Sequence, residues 1–265
     1  MKVTILTSNQ PRHLALVEAL ADCVDQVYAI HESTSVFPGK VQDFYNKSDV
    51  MQTYFSKVIQ SEEKIFGKIR PMPSKVRQII LRMGDLNLID RNNFKEAFES
   101  DLYIVCGASY IKGELCDYLV EKKCLNIHMG ISPYYRGTAT NFWPVYDDCL
   151  EYVGATIHYL TKGLDSGPIL FHTLPKPEAI NYFDLGMKAV QSAFMGITHH
   201  LKSNSIFNFS PEQQDKTKQI RYSKRNEFND EIAIKFMERD IQPEIIKSRL
   251  GNRNMKLFKN PFVAF

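Results

Sequence analysis

The sequence predicts an α/β fold: a mostly parallel, doubly wound sheet with a short C-terminal appendage. Two observations carry this. Residues 3–6 form a β-branched run, residues 12–20 carry Leu14, Val17 and Leu20 on one side, and residues 27–30 form a second apolar run. Strand, helix and strand within the first thirty residues make a right-handed parallel unit. Second, residues 102–106 (LYIVC) are apolar throughout, as in a strand buried on both faces.

The elements follow in order. Pro11 suits the first turn of the opening helix. The turn before it lies at the carboxyl edge of the sheet, where Ser8, Asn9 and Arg12 face a helix N-terminus. Asn9 and Arg12 read either as phosphate ligands or as structural caps. No Gly-x-Gly-x-x-Gly follows, so a standard dinucleotide grip is not expected. Residues 31–39 read as loop. Residues 43–66 are rich in helix formers, with aromatics at helical spacing that belong to a core. After Pro71 and Pro73, a shorter helix is expected from Ser74 as N-cap to Arg82. A turn at 83–87 and a helix at 91–99 lead into the 102–106 strand.

Gly107, Ala108, Ser109, Tyr110 and Ile111 end that strand. Small residues let the backbone approach a ligand closely, or simply make a tight strand–helix turn. A helix over 112–123 leads to Cys124-Leu125-Asn126-Ile127-His128, a strand expected to lie beside 102–106. Side chains alternate along a strand, so Asn126 and His128 share one face while Leu125 and Ile127 are buried on the other. Residues 131–140 are irregular and 141–149 helical. Strands follow at 152–159 and 169–174, and a long helix at 181–201 with Asp184 as its cap. A boundary falls at 203–215, dividing residues 1–204 from a 205–265 extension too short for an independent domain. Its apolar last residues are expected to dock on the core.

Composition excludes little. The chain has 265 residues, 44% of them hydrophobic, and a net charge of +3. Residues 205–265 hold 12 Lys+Arg against 8 Asp+Glu, leaving the first 204 at −1. A mildly basic tail favours an anionic ligand or is a solvated surface. Five cysteines without C-x-x-C spacing, and no leader pattern, fit a reducing, cytoplasmic setting. No apolar run is long enough to span a membrane. His158, His199 and His200 lack a third ligand at metal spacing and read as structural or solvent-facing, so no metal is expected.

The chemistry concentrates in residues 124–170. Asp165 lies between Gly163 and Gly167 in the tight loop Lys162-Gly163-Leu164-Asp165-Ser166-Gly167-Pro168. Amide, imidazole and carboxylate are the parts needed to stabilise a developing oxyanion and to move a proton. Each alone has an ordinary role as cap, core residue or turn former. Their order, with Ser132-Pro133-x-Tyr135-Arg136-Gly137 between them, is what points to a site.

That order resembles the formyltransferases that use N10-formyltetrahydrofolate, in the Asn-x-His strand, the Ser-Pro-x-Tyr-Arg-Gly segment and the Leu-Asp-x-Gly-Pro loop. The resemblance implies a Rossmann-like formyltransferase core, with N10-formyltetrahydrofolate as co-substrate. Asn126, His128 and Asp165 become the catalytic residues, and Gly107, Ala108, Ser109, Tyr110, Ile111 and Gly163 the folate-binding ones. Asn126 is expected to donate to the oxyanion. His128 acts as a second donor if protonated or accepts the amine's proton if neutral, and Asp165 orients it. Asn9 and Arg12 are the candidate acceptor-binding residues.

Departures narrow the substrate class. Family members acting on glycinamide ribonucleotide carry a glycine-rich turn after the first strand, where this chain has Ser8-Asn9-Gln10-Pro11-Arg12. Methionyl-tRNA enzymes carry a C-terminal barrel that this tail does not supply. Where the family often has His-Pro-Ser, this chain has His128-Met129-Gly130. Residues 9–13, 107–113 and 140–143 are similar to those of sugar-nucleotide N-formyltransferases, most of all those acting on GDP-perosamine in lipopolysaccharide O-antigen pathways. A nucleotide-linked amino-dideoxy sugar is the expected partner. Neither nucleic acid nor membrane insertion is expected, and a homodimer is left open. The competing readings are a methionyl-tRNA formyltransferase and a non-catalytic folate- or nucleotide-binding module.

Overall fold

The computed structural model describes residues 1–33, 47–69 and 71–265. Its main sheet has eight strands in the order β10-β8-β7-β5-β4-β1-β2-β3. β1 (Lys2–Ser8), β2 (Gln26–Ser33), β3 (Val76–Arg82), β4 (Leu102–Cys106) and β5 (Leu125–His128) run parallel. β7 (Ala155–Tyr159) is antiparallel to β5 and to β8 (Ile169–Leu174), while β10 (Phe262–Val263) pairs parallel with β8. The sheet is mostly parallel, as the sequence predicts. β6 (Tyr135–Gly137), inside the stretch read as irregular, pairs with β9 (Arg221–Ser223) in a separate two-stranded ladder.

Helices cover both faces because the strands alternate. Val3 and Ile5 of β1 pack with Leu16 and Leu20 of α1 (Pro11–Ala21), while Leu6 packs with Leu115 and Leu119 of α4 (Gly113–Glu121). All seven are fully or almost fully buried, each worth roughly 2 kcal/mol in transfer terms. α2 (Asp49–Phe66) starts where the Ser48 hydroxyl accepts the Met51 N–H and ends at Gly67, whose φ is +75°. The start of the helix read over 43–66 lies outside the described residues. So does most of the loop read at 31–39, whose first residues belong instead to β2. α3 (Lys95–Phe98) and α5 (Trp143–Tyr146) are single turns. α6 (Tyr182–Lys202) is the long helix. Its cap is Asn181, whose carboxamide oxygen accepts the N–H groups of Phe183 and Asp184 at 2.9 Å. Asp184 instead accepts from Ser61, Lys64 and Asn181.

Residues 76–82 are a strand, not the expected helix. Val76, Ile79 and Ile80 are β-branched, and β3 finds a parallel partner along all of β2. Three branched residues in seven favour the pleat once an edge is available.

Residues 205–265 pack on the core. α7 (Asp230–Met237) and α8 (Pro243–Gly251) contribute Phe236, Ile246 and Leu250 to a cluster with Tyr54, Phe142 and Trp143. The Phe142 and Phe236 rings stack 4.2 Å apart. Val263 and Phe265 remain exposed, so the last residues dock through the Phe262 ring against His199 and through backbone bonds to β8, including Ala264 N–H to the Leu174 carbonyl at 3.0 Å.

Candidate active site

β5 begins level with the end of β4, since Ile104 pairs with Leu125 and Val105 with Asn126. The 107–111 turn therefore stands beside Asn126 and His128. β7 returns antiparallel, so its exit loop, residues 160–168, opens at the same place. A cleft of about 560 Å³ results. Gly107 to Ile111, Asn126, His128, Gly163, Leu164 and Asp165 all line it.

Asn126, His128 and Asp165 converge. The Asn126 Nδ2 donates to Asp165 Oδ1 at 3.1 Å, and His128 Nδ1 lies 3.3 Å from Asp165 Oδ2. The other His128 nitrogen, Nε2, lies 3.4 Å from the Tyr135 carbonyl. Burial alone pushes the His128 ring down, but the Asp165 carboxylate outweighs it, and the net pKa is raised. Asp165 is shielded too, which favours its neutral form, yet His128 and Asn126 hold its pKa down to about 2. The result is an ionised carboxylate bonded to an imidazole biased toward its cation.

Of the two readings of His158, structural or solvent-facing, burial excludes the second, and its ring lines the cleft. It is 1% exposed and pairs across the strands with Asn126, its Nε2 3.0 Å from Asn126 Nδ2. His158 Nδ1 donates to the Tyr159 carbonyl at 2.8 Å, so Nε2 is the accepting nitrogen. Burial first, then His128, lowers its pKa to about 4 and keeps it neutral. Both Asn126 amide hydrogens are thus engaged, one by His158 and one by Asp165. Strand parity placed Thr156 and His158 on one face; the register against β5 was the missing information. Thr156 bonds the Ser132 N–H and the Gly130 carbonyl, bracing the turn after His128.

The remaining residues divide. Gly107 has φ +69°, and a Cβ there would lie 2.4 Å from the His13 ring. Ser109 spends its N–H and hydroxyl on the buried Glu32 carboxylate, at 2.6 and 2.8 Å, so its part in the cleft is to fix the backbone. Tyr110 is exposed and donates to the Lys162 carbonyl, bridging the two lips. Arg12 lines the cleft, but its Nη1 is 2.8 Å from Glu62 Oε1. Asn9 is exposed and does not line the cleft. Among the described residues, no group of three or more His, Cys, Asp or Glu is placed to hold a metal ion, and no helix is long and apolar enough to cross a membrane.

Residues 89–178, which hold the whole cluster, match the formyl transferase family. That matched stretch is about a third of the chain. Curated relatives agree: a methionyl-tRNA formyltransferase of Thermotoga sp. (strain RQ2) is 32% identical over 107 residues, covering 38% of this chain and 34% of the relative. That of Thermotoga maritima is 25% identical over 209 residues, 72% of this chain and 65% of the relative. The chain thus spans between a third and two thirds of the length of these two proteins. Among solved structures, a 4-N formyltransferase from Francisella tularensis has the same fold (TM-score 0.52, 17% identity, 99% of this chain and 91% of that one). So has an N-formyltransferase from Helicobacter canadensis in complex with folinic acid and dTDP-3-aminofucose (TM-score 0.51, 17% identity, 99% and 84%).

The cleft around Asn126 and His128 is lined by the 107–111 turn with Val105 and Leu160, by Tyr54 and Val58 of α2, by Met187 and Val190 of α6, and by Phe236 of α7.

Proposed function

We propose that this protein transfers the formyl group of N10-formyltetrahydrofolate to the amino group of a nucleotide-linked amino-dideoxy sugar, GDP-perosamine or a close relative, in lipopolysaccharide O-antigen biosynthesis. The carrying observation is the meeting of Asn126, His128 and Asp165 on the wall of one cleft. The Helicobacter canadensis neighbour, with a folate and a nucleotide-linked amino sugar, supports the pairing of ligand classes. The stretch of wall formed by Asn126, Val105, Ile111 and Leu160 fits a flat heteroaromatic ring edged by backbone polar groups. The stretch formed by α2 and α6 is mostly apolar and aromatic, which suits the deoxygenated face of a dideoxy sugar.

The folate supplies an electrophilic formyl carbon. As the acceptor amine attacks, the formyl oxygen gains charge, and Asn126 surrenders one of its two engaged hydrogens to it. His128, biased toward the imidazolium by Asp165, is the second donor. A carboxylate with a pKa of about 2 is an orienting charge rather than a base. The proton lost by the attacking nitrogen therefore passes through water to the departing nitrogen. No acyl-enzyme is needed.

The test is incubation with N10-formyltetrahydrofolate and a panel of GDP-, dTDP- and UDP-linked amino sugars, read by mass spectrometry. A formylated product with one acceptor is expected; its absence from the whole panel sinks the proposal. A second reading, formylation of methionyl-tRNA, is favoured by the names of the curated relatives. It requires salt-sensitive tRNA binding, and a lack of binding at low salt removes it.

A further inference from the structure

Asp165 sits at φ +45°, the left-handed region, and its neighbour Gly167 has no room for a side chain. A loop in that conformation keeps its place only if something outside it holds it. Within the loop the bonds are short-range: Thr161 Oγ1 to Gly163 O and to Ser166 Oγ. Asn126 and His128 hold the Asp165 carboxylate, while the outside hold on its backbone comes from residue 214, beyond residues 1–204. Gln214 Nε2 donates to the carbonyls of Asp165 and Gly167, both at 2.9 Å. The flipped amide would set Oε1 against two carbonyl oxygens, so this orientation is fixed by chemistry. It leaves Gln214 Oε1 buried without a partner, a cost that the two bonds must outweigh.

Gln214 is itself anchored. Two residues earlier, Glu212 and Ile169 exchange both backbone bonds at 2.7 and 2.9 Å, tying the segment to the first residue of β8. Glu212 is also paired with Lys259 at 3.1 Å. One residue later, Asp215 caps the turn at Thr217. Arg136 adds a longer contact to the Leu164 carbonyl, 3.4 Å. The loop is thus gripped on its outer side while both Asp165 carboxylate oxygens face inward to Asn126 and His128.

We propose that Gln214 is the positioning residue of this site: its carboxamide clamps residues 165–167 so that the Asp165 carboxylate stands against His128. As a contribution to turnover this rests on the formyl-transfer reading above; as a control on His128 it does not. The clamp acts through geometry alone, with no contact between Gln214 and the reacting atoms.

The experiment uses the full chain with Gln214→Glu and Gln214→Ala. Glu is isosteric but replaces two donors with an anion facing two carbonyls; Ala opens the carbonyls to water and keeps the fold. The first readout is the titration of His128 by NMR of the isotope-labelled protein, with its signal assigned by loss in His128→Gln. A downward displacement of the His128 midpoint is expected in both variants, larger for Glu. The second readout is steady-state kinetics: kcat falls by roughly 10–100-fold, as for a misplaced catalytic geometry, with KM for the folate little changed. An unmoved midpoint in both variants overturns the proposal, as does wild-type kcat for Gln214→Glu. If the wild-type protein formylates no acceptor, the NMR result decides alone, and a displaced midpoint upholds the clamp while the reaction assignment falls.

Discussion

Asn126 and His158 face each other across β5 and β7, amide nitrogen to imidazole nitrogen at 3.0 Å. Because His158 Nδ1 is spent on the Tyr159 carbonyl, its Nε2 accepts, and this fixes the direction in which the Asn126 amide points. His158→Ala leaves that amide free to rotate. A loss in kcat of about tenfold or more is expected, in line with the cost of a misaligned oxyanion donor. A rate within twofold of wild type would show that Asn126 needs no such support.

Asp165→Asn keeps the shape of the site and removes its charge. The His128 pKa, raised chiefly against the effect of burial by this carboxylate, must then fall. A group whose folded pKa is raised is protonated to higher pH. Losing the partner therefore moves the alkaline limb of the kcat profile to lower pH, with kcat down by roughly 100-fold or more. An unmoved limb would dissociate His128 from the rate.

Acid should unfold this protein through its buried neutral histidines. Burial lowers His13 to about 3, and His158 and His172 to about 4. His172 shows why: its Nδ1 accepts the Lys259 N–H and its Nε2 donates to the Ser132 carbonyl, so a second ring proton has no acceptor. These folded values lie below the unfolded 6.5, so their stabilising share is complete above pH 6.5 and is lost as pH falls toward 4. Each proton contributes about 1.4 kcal/mol per pH unit at full effect. Urea unfolding from pH 6.5 to 4.5 measures the slope, and His172→Gln is expected to flatten it by about one proton.

Gly167→Ala tests the Asp165 loop from the other side. A Cβ there would lie 1.7 Å from the Tyr159 carbonyl, which is backbone and belongs to β7. The strand or the loop must move, at a cost of roughly 1–3 kcal/mol. Loss of stability with loss of activity is expected in urea melts and assays run side by side. Wild-type values in both would mean that the loop has slack.

Residues 205–265 are held by aromatic contacts. Phe236→Ala removes the ring stacked on Phe142 and edged by Tyr54, at about 3–5 kcal/mol. Truncation after residue 204 is expected to give insoluble protein. A soluble, cooperatively melting 1–204 fragment would show that the core stands alone.

The parts of the site carried by one strand were legible from sequence. Asn126 and His128 share a face because strand parity is local, and the 102–106 strand was evident from unbroken apolarity. What pairs across strands was not legible. Residues 74–82 place apolar side chains at spacings compatible with a helix, and only the open edge of β2 decided for β3. His158 entered the site through the β5–β7 register, and Gln214 through a side chain reaching backbone; neither leaves a periodic trace. Arg12 lines the cleft, but its pairing with Glu62, fifty residues on, has no local signal.

The link from Gln214 to the Asp165 loop bears on the order of events during synthesis. A nascent chain emerging from the ribosome has Asn126, His128 and Asp165 in hand long before residue 214 is translated. Until then the carbonyls of Asp165 and Gly167 face water, and β8 lacks its late neighbour β10. The backbone hold on the Asp165 loop is therefore acquired only once residue 214 has emerged and folded back.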